Sequence, residues 1–285
     1  MTKTYIIAEI GINHNGDINL AKKLISIAAS AGCHAVKFQK RNPDICVPEH
    51  QKSVIRSTPW GEMTYLEYKH KIEFGKNEYD EIDHYCRSHG IDWSASPWDE
   101  DSLNFLNQYN IPFIKLPSAS LTDLPLIEAS IATGKKIIFS TGMSTETEIH
   151  NAVSYIRSSQ KEYNNTNKMG LLHCNSSYPA PVNELNLSCI TTLKNLYPDF
   201  DIGYSGHELT IGTTVSSVIL GAKIIERHLT LDRNMWGSDQ SCSVTPWGLF
   251  KLVNGIKELE LSFGDGTLGL SKSELEAQKR LRKND

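Results

Sequence analysis

No apolar run in the chain approaches the 18 or so residues needed to cross a membrane, so no spanning segment is expected. The six cysteines, at 33, 46, 86, 174, 189 and 242, are scattered and include no CxxC pair. In a chain of 285 residues that pattern excludes a disulfide scaffold and reads as reduced cytosolic thiols. Cys174 and Cys242 fall near candidate site residues, but filling small buried spaces is the role expected of both. There is no basic excess: the net charge is −4 and the pI about 6.2, which gives no electrostatic footprint for nucleic acid. The opening residues enter a strand without a basic-then-apolar leader, so a cytoplasmic protein is expected.

What the chain does have is alternation. Hydrophobic residues make up 39% and charged ones 22%, as in a globular protein with a large core. Short apolar strands are expected at 5–10, 34–39, 91–96, 113–116, 136–140 and 169–173. Two more end at His207 and His228. Helical spacing or caps follow each strand: 19–31 stopped by Gly32, 77–88, 99–108 capped by Asp99, and a helix to Thr133 capped by Thr122 or Asp123. The next starts at Ser144 and runs to Ser158; then come 188–196, 209–220, and a last helix from Thr245 to Ser262. Eight strands, each followed by a helix, predict an α/β fold made of a single (β/α)8 TIM barrel, with a doubly wound sheet as runner-up. The barrel is expected over 1–264, and 265–285 as a C-terminal tail or terminal helix. Residues 40–76, rich in proline and charge, are too long for an ordinary connection and predict a functional loop over one mouth. Residues 160–168 read as a polar loop.

His207 and His228 stand 21 positions apart, about one strand-helix unit. In such a fold that spacing puts them on neighbouring strands at the C-terminal edge, where the chemistry sits. Two neutral imidazoles there suit a divalent metal; the bland alternative is a pair of hydrogen-bonded strand-end histidines. The other strand ends add Glu9 and Asn13, Lys37 and Gln39, Ser94 and Ser96, Lys115 and Ser118, Ser140 and Thr141, Asn175 and Tyr178, Ser205, and Glu226. Lysines inside strands are unusual, and inward ones need an anion. The hydroxyls beside them are donors of the kind that hold phosphate, although capping accounts for some of them.

These residues carry a resemblance. The stretches Glu-Ile-Gly-Ile-Asn-His-Asn-Gly at 9–16, Lys-Phe-Gln at 37–39 and Ser-Thr-Gly-Met at 140–143 belong to it. So do His-Cys at 173–174 with Tyr-Pro at 178–179, Ile-Gly-Tyr-Ser-Gly-His at 202–207 and Ile-Glu-Arg-His at 225–228. Together they resemble the sialic acid synthase family over about residues 4 to 265. The resemblance implies condensation of phosphoenolpyruvate with an N-acetylhexosamine to a nonulosonic acid. It implies that His207 and His228 hold manganese, or magnesium or cobalt. It puts Lys37, Lys115, Ser118, Ser140 and Ser205 around phosphoenolpyruvate, with Gln39 and Ser96 near its anionic groups. Glu9, Tyr178, Glu226 and Asp239 then face the sugar or the reacting carbons.

Three departures from the family pattern matter. Ser120 stands where an acid expected to hold sugar hydroxyls is common, so an altered or phosphorylated hexosamine is an open alternative. Ser176 stands where an asparagine often helps bind phosphate. No stretch matches the family's C-terminal antifreeze-like domain, so the sugar pocket is expected between the 40–76 loop, with Arg41, Arg56, Trp60 and Tyr65, and residues 233–240 as its opposite wall. The rival readings are an octulosonate- or heptulosonate-type phosphate synthase, a Schiff-base aldolase on Lys115, and a catalytically silent sugar-binding barrel. A homo-oligomer, dimer or tetramer, is expected.

Overall fold

The computed structural model describes residues 3–159 and 168–283. In chain order, β1 (Tyr5–Gly11), α1 (Ile18–Ala31) and β2 (Ala35–Lys40) lead into an excursion. It holds α2 (Pro43–Cys46), α3 (Glu49–Lys52), the hairpin β3 (Ile55–Thr58) and β4 (Gly61–Thr64), and α4 (Tyr65–Ile72). After α5 (Lys76–Ser88) come β5 (Asp92–Pro97), α6 (Glu100–Leu106), β6 (Phe113–Leu116), α7 (Leu124–Ala132), β7 (Lys136–Ser140) and α8 (Glu146–Ser159). The rest is β8 (Met169–Cys174), α9 (Cys189–Leu196), β9 (Asp201–Gly206), α10 (Gly212–Ile219), β10 (Ile224–His228), α11 (Pro246–Ser262) and α12 (Lys272–Leu281).

Eight strands form one parallel sheet in the order β5-β2-β1-β10-β9-β8-β7-β6. The two ends, β5 and β6, are bridged by a side chain: Ser94 Oγ donates to the Phe113 carbonyl at 2.6 Å. This is the expected barrel. Its interior follows from the two-residue period of strands. Ile7, Ala35, Phe113, Ile138, Leu172 and Ile224 pack as one apolar layer across the barrel. Two residues further along the same strands come Glu9, Lys37, Lys115, Ser140, Cys174 and Glu226. Register aligns them: Glu9 pairs with Lys37 and with His228, and Glu226 with Ser205. One apolar layer therefore floors a polar one at the C-terminal ends. A larger core of outward-facing strand residues and helix faces surrounds the barrel.

Caps set the helices. Gly32 ends α1 at φ 88°, and Asp99, Asp123 and Thr245 cap α6, α7 and α11 as expected. The cap before α8 is Thr145 rather than Ser144: Thr145 exchanges bonds with Glu148, while Ser144 Oγ donates to the Gly142 carbonyl. Residues 40–76 are not a loose loop. The α4 helix starts in a full capping box, and Tyr68 and Ile72 pack on Ile12. Residues 160–167 of the expected polar loop lie outside the described residues. The α12 helix buries none of its residues. Among the described residues no helix is long and apolar enough to cross a membrane.

Candidate active site

The polar layer opens into a cavity of about 310 Å³ at the C-terminal mouth. It is lined by Glu9, Lys37, Gln39, Ser96, Lys115, Ser118, Ser140, Tyr178, Ser205, His207, Glu226, His228 and Asp239. Of the strand-end residues singled out from sequence, Asn13, Ser94 and Thr141 are missing from the lining, and so is Asn175. The Asn175 amide donates to the Glu184 carbonyl and its Oδ1 accepts from the Ser177 N–H, so the side chain serves the loop after β8. The neighbouring Ser176 takes the lining position. Ser120 is buried in the short 3-10 turn after β6 and does not reach the cavity.

Lys37 is the centre of the charge arrangement. Its Nζ lies 2.7 Å from Glu9 Oε2, 2.9 Å from Ser96 Oγ and 3.9 Å from Glu226 Oε2. Lys115 Nζ lies 3.5 Å from Glu226 Oε1, to which Ser205 Oγ also donates at 3.1 Å. The whole group is buried. Burial pushes the Glu9 carboxyl up to about 7, with Lys37 opposing and Glu226 adding to the shift. Burial acts the same way on Glu226, but Lys115 and Lys37 outweigh it and hold that carboxyl below its usual range. For Lys37 the two carboxylates overcome burial and raise its pKa, whereas burial lowers that of Lys115. Two carboxylates in one site thus have separated proton affinities, the arrangement that divides acid and base roles.

The histidine rings lie beside each other, 5.3 Å between centroids, with Tyr178 4.1 Å from His207 and 5.8 Å from His228. His207 Nδ1 bonds the Asn175 carbonyl at 2.6 Å, which leaves Nε2 free of that bond. His228 Nδ1 is buried without a hydrogen bond, 3.7 Å from Asp239 Oδ2. Burial drops the His228 pKa to about 3, so its imidazole is neutral at neutral pH. Burial also opposes charge on His207, but Cys174 and the Asn175 carbonyl bring its pKa above the usual value. Among the described residues no set of three or more His, Cys, Asp or Glu side chains is arranged to hold a metal. Protein donors at this centre are the two imidazoles, with Glu226 and Asp239 in the next positions.

Gly11 sits at the mouth with φ 55°, and a Cβ there would stand 3.0 Å from Glu9 Oε1 and 3.2 Å from Gln39 Nε2. A side chain at this point would press on the carboxylate and the amide together. Sequence reasoning missed several lining residues. Lys69, Trp98, Ser238 and Met143 line the cavity, and Cys174, read as a space filler, does so 3.7 Å from His207 Nδ1. The signal for Cys174 was its place at the end of β8; Lys69 lies in the 40–76 stretch expected over the mouth, but nothing in the sequence singled it out from the other charges there. The 40–76 excursion and the 233–240 loop were expected to face each other. Instead they meet: Trp236 packs edge-on against Tyr68 at 4.8 Å and Trp60 at 5.9 Å, which occupies its ring in the wall itself.

The model of the NeuB family matches residues 24–268 of the chain. The N-acetylneuraminate-9-phosphate synthase of Drosophila melanogaster is 40% identical over 260 residues, 90% of this chain and 68% of that protein. The N,N'-diacetyllegionaminic acid synthase of Campylobacter jejuni is 38% identical over 278 residues, 96% of this chain and 81% of that one. Among solved structures, the N-acetylneuraminic acid (sialic acid) synthetase of Leptospira borgpetersenii superimposes with a TM-score of 0.84 at 34% identity, covering 99% of this chain and 94% of that chain. With the family model spanning most of its length, and relatives of this identity matched over nine-tenths of it or more, the chain belongs to the NeuB family.

Proposed function

We propose that the protein condenses phosphoenolpyruvate with an N-acetylhexosamine of the N-acetylmannosamine type, giving a nonulosonic acid and phosphate. The observation that carries this reading is the buried pair Lys37 and Lys115 at the base of the mouth, ringed by hydroxyls and next to the histidines. Phosphoenolpyruvate has a carboxylate and a phosphate, and two ammonium groups with Ser96, Ser118, Ser140 and Ser205 suit both. Ser140 Oγ is buried and without a partner, a donor kept for a ligand. In the reaction C3 of the enolpyruvate attacks the aldehyde carbon of the open-chain sugar. Water adds at C2, and phosphate leaves with cleavage of the C–O bond. Glu9, whose carboxyl pKa burial pushes up, would move the proton of that water. Tyr178 and Asp239 line the same cavity and are assigned to the sugar, with Gln39 beside the anionic groups of phosphoenolpyruvate.

The residues present suit a divalent ion, with manganese the first choice. His207 is fixed through Nδ1 to a backbone carbonyl, the outer contact that orients a ligating imidazole. His228 is neutral and has a buried nitrogen without a partner. Water and substrate oxygens would complete the shell. When bound, the ion supplies a Lewis acid at the aldehyde oxygen. The six cysteines are free, which accords with a cytoplasmic setting, and a homo-oligomer is our expectation. Release of phosphate from phosphoenolpyruvate, measured with a panel of amino sugars and analysis of the product, tests the reading. An octulosonate-type synthase would turn over aldose phosphates that lack the N-acetyl group. A Schiff-base aldolase would trap pyruvate on Lys115 with borohydride.

A further inference from the structure

Behind the histidine pair, on the outer face of the same two strands, lies a charge pair that the condensation chemistry does not use. The two-residue period of strands explains its place. Ser205 and His207 at the end of β9 line the cavity, and so do Glu226 and His228 in β10. Arg227, between the last two, is turned the other way, and Glu208 follows His207 directly. These two neighbours of the histidines meet each other. Arg227 Nη1 lies 3.1 Å from Glu208 Oε1, and Arg227 Nη2 donates to the Glu208 carbonyl. Both side chains are buried.

A network closes around the pair. Arg227 Nη1 donates to Thr214 Oγ1 at 2.6 Å and to the Thr210 carbonyl at 3.0 Å. Thr214 Oγ1 in turn donates to Glu208 Oε1 at 2.6 Å, as Thr213 Oγ1 does at 2.8 Å. Glu208 Oε2 accepts from the Tyr204 hydroxyl at 2.9 Å. The end of β9, the start of α10 and β10 are thus tied at one point. The backbone between Ser205 and His207 lies directly against it: a Cβ on Gly206 would stand 2.6 Å from Glu208 Oε2 and 3.1 Å from Arg227 Cδ.

Stability alone does not account for such a pair. Apolar residues of similar volume often match or better a buried ion pair, because taking two charges out of water costs about what their attraction gives. What a directional charged network supplies is a single geometry. Here it governs the separation of two strand ends, each carrying an imidazole that a divalent ion must meet at bond length. Among the described residues no set of three such ligands is arranged to hold an ion, so no further protein ligand corrects an error in that separation.

We propose that the Arg227–Glu208 pair, with Thr214 as its bridge, is a positioning clasp that sets the separation of His207 and His228 for a divalent ion. The inference rests on the metal reading of those histidines. Neither clasp residue touches substrate or ion; each acts through the backbone of the histidine beside it.

The test uses the full chain, freed of metal and shown to be folded by circular dichroism. Calorimetry with Mn2+ gives the affinity, and nitrogen NMR of the metal-free protein gives the ring shifts of His207 and His228. The double variant Arg227→Met with Glu208→Gln removes both charges together, while the new amide keeps partners for the threonine and tyrosine hydroxyls. The clasp requires the Kd for Mn2+ to rise about tenfold or more and the ring shifts to move, with a melting temperature within a few degrees of the parent. If the double variant does not fold, Thr214→Val, which removes the bridging hydroxyl alone, decides by the same measurements, with a Kd rise of about threefold expected. A Kd within about twofold of the parent in the folded variant overturns the clasp and leaves the metal reading intact, since the network then serves to anchor α10. If the parent binds no divalent ion, the metal reading fails and the ring shifts decide the clasp. Unchanged shifts overturn it, and altered shifts uphold it as the device that positions the imidazoles.

Discussion

Lys37 Nζ and Glu9 Oε2 lie 2.7 Å apart in a buried layer of the barrel, on residues that face each other in register on β1 and β2. The contact gives Lys37 two calls on its charge, one from Glu9 within the resting protein and one from an incoming anion. Glu9→Gln removes the first and keeps the shape. The KM for phosphoenolpyruvate is then expected to stay level or fall, while kcat drops by about 10² or more with the loss of a proton-moving group. Steady-state kinetics separate the two constants. A rise in KM with unchanged kcat would show that Glu9 only builds the site.

Lys115 has a different balance. Its nearest acid oxygen is 3.5 Å away on Glu226, and burial already lowers its pKa. Lys115→Ala is expected to weaken phosphoenolpyruvate binding by about 1.5–3 kcal/mol, the range for a charge-assisted contact. An unchanged KM for phosphoenolpyruvate together with an unchanged kcat would contradict its place at the anion.

Gly142 tests the hydroxyl side of the same site. A Cβ at this position would fall 2.2 Å from Ser176 Oγ and 2.8 Å from Ser118 Oγ. Both are ends of small side chains that can rotate, so Gly142→Ala is expected to fold with a melting temperature within a few degrees of the parent. The displaced hydroxyls should raise the KM for phosphoenolpyruvate by about tenfold. Unaltered kinetics would place the substrate's anionic groups elsewhere.

How much of this was readable from the chain differs by element. The barrel was legible because short apolar strands alternate with helix-length segments along the chain, and several strands close on a polar residue, such as Lys40 in β2, Ser140 in β7 and His228 in β10. The paired histidines were legible from their spacing alone. Asn175 was not, because whether a side chain after a strand turns inward or back onto its loop depends on partners such as the Glu184 carbonyl. Lys69 and Trp98 were invisible as site residues. The fold of 40–76 back over the mouth places Lys69, through the contacts of Tyr68 and Ile72 with Ile12, and these leave no periodic mark in the sequence. The 233–240 loop, expected as an opposite wall, meets the 40–76 excursion for the same reason, with the Trp236 ring packed on Tyr68 and Trp60.

His14 gives a pH prediction away from the anion site. It lies in the turn after β1, stacks on Phe74 at 3.9 Å between centroids, and accepts the Gly16 N–H through Nδ1. Burial lowers its pKa to about 3. The unfolded chain takes up this proton near pH 6.5, so the stability His14 contributes is complete above that pH. It is lost as pH falls toward 3, at about 1.4 kcal/mol per unit. By pH 5 the parent should have lost about 2 kcal/mol through this residue. His14→Asn costs stability at pH 7.5, and that deficit should shrink by the same amount at pH 5. Urea titrations at the two pH values measure it, and a deficit independent of pH would contradict a neutral buried histidine.

The central claim is that His207, His228 and the buried lysines make one condensing centre. The most direct test is phosphate release from phosphoenolpyruvate with an N-acetylhexosamine and its phosphate ester. It is run on protein dialysed against chelator and then on the same protein given Mn2+, Mg2+ or Co2+. The account predicts no release in chelator, release with a divalent ion, a nonulosonic acid as product, and loss of both metal binding and activity in His207→Ala and His228→Ala with the fold retained. Full turnover in chelator, or release that does not depend on the amino sugar, would contradict it.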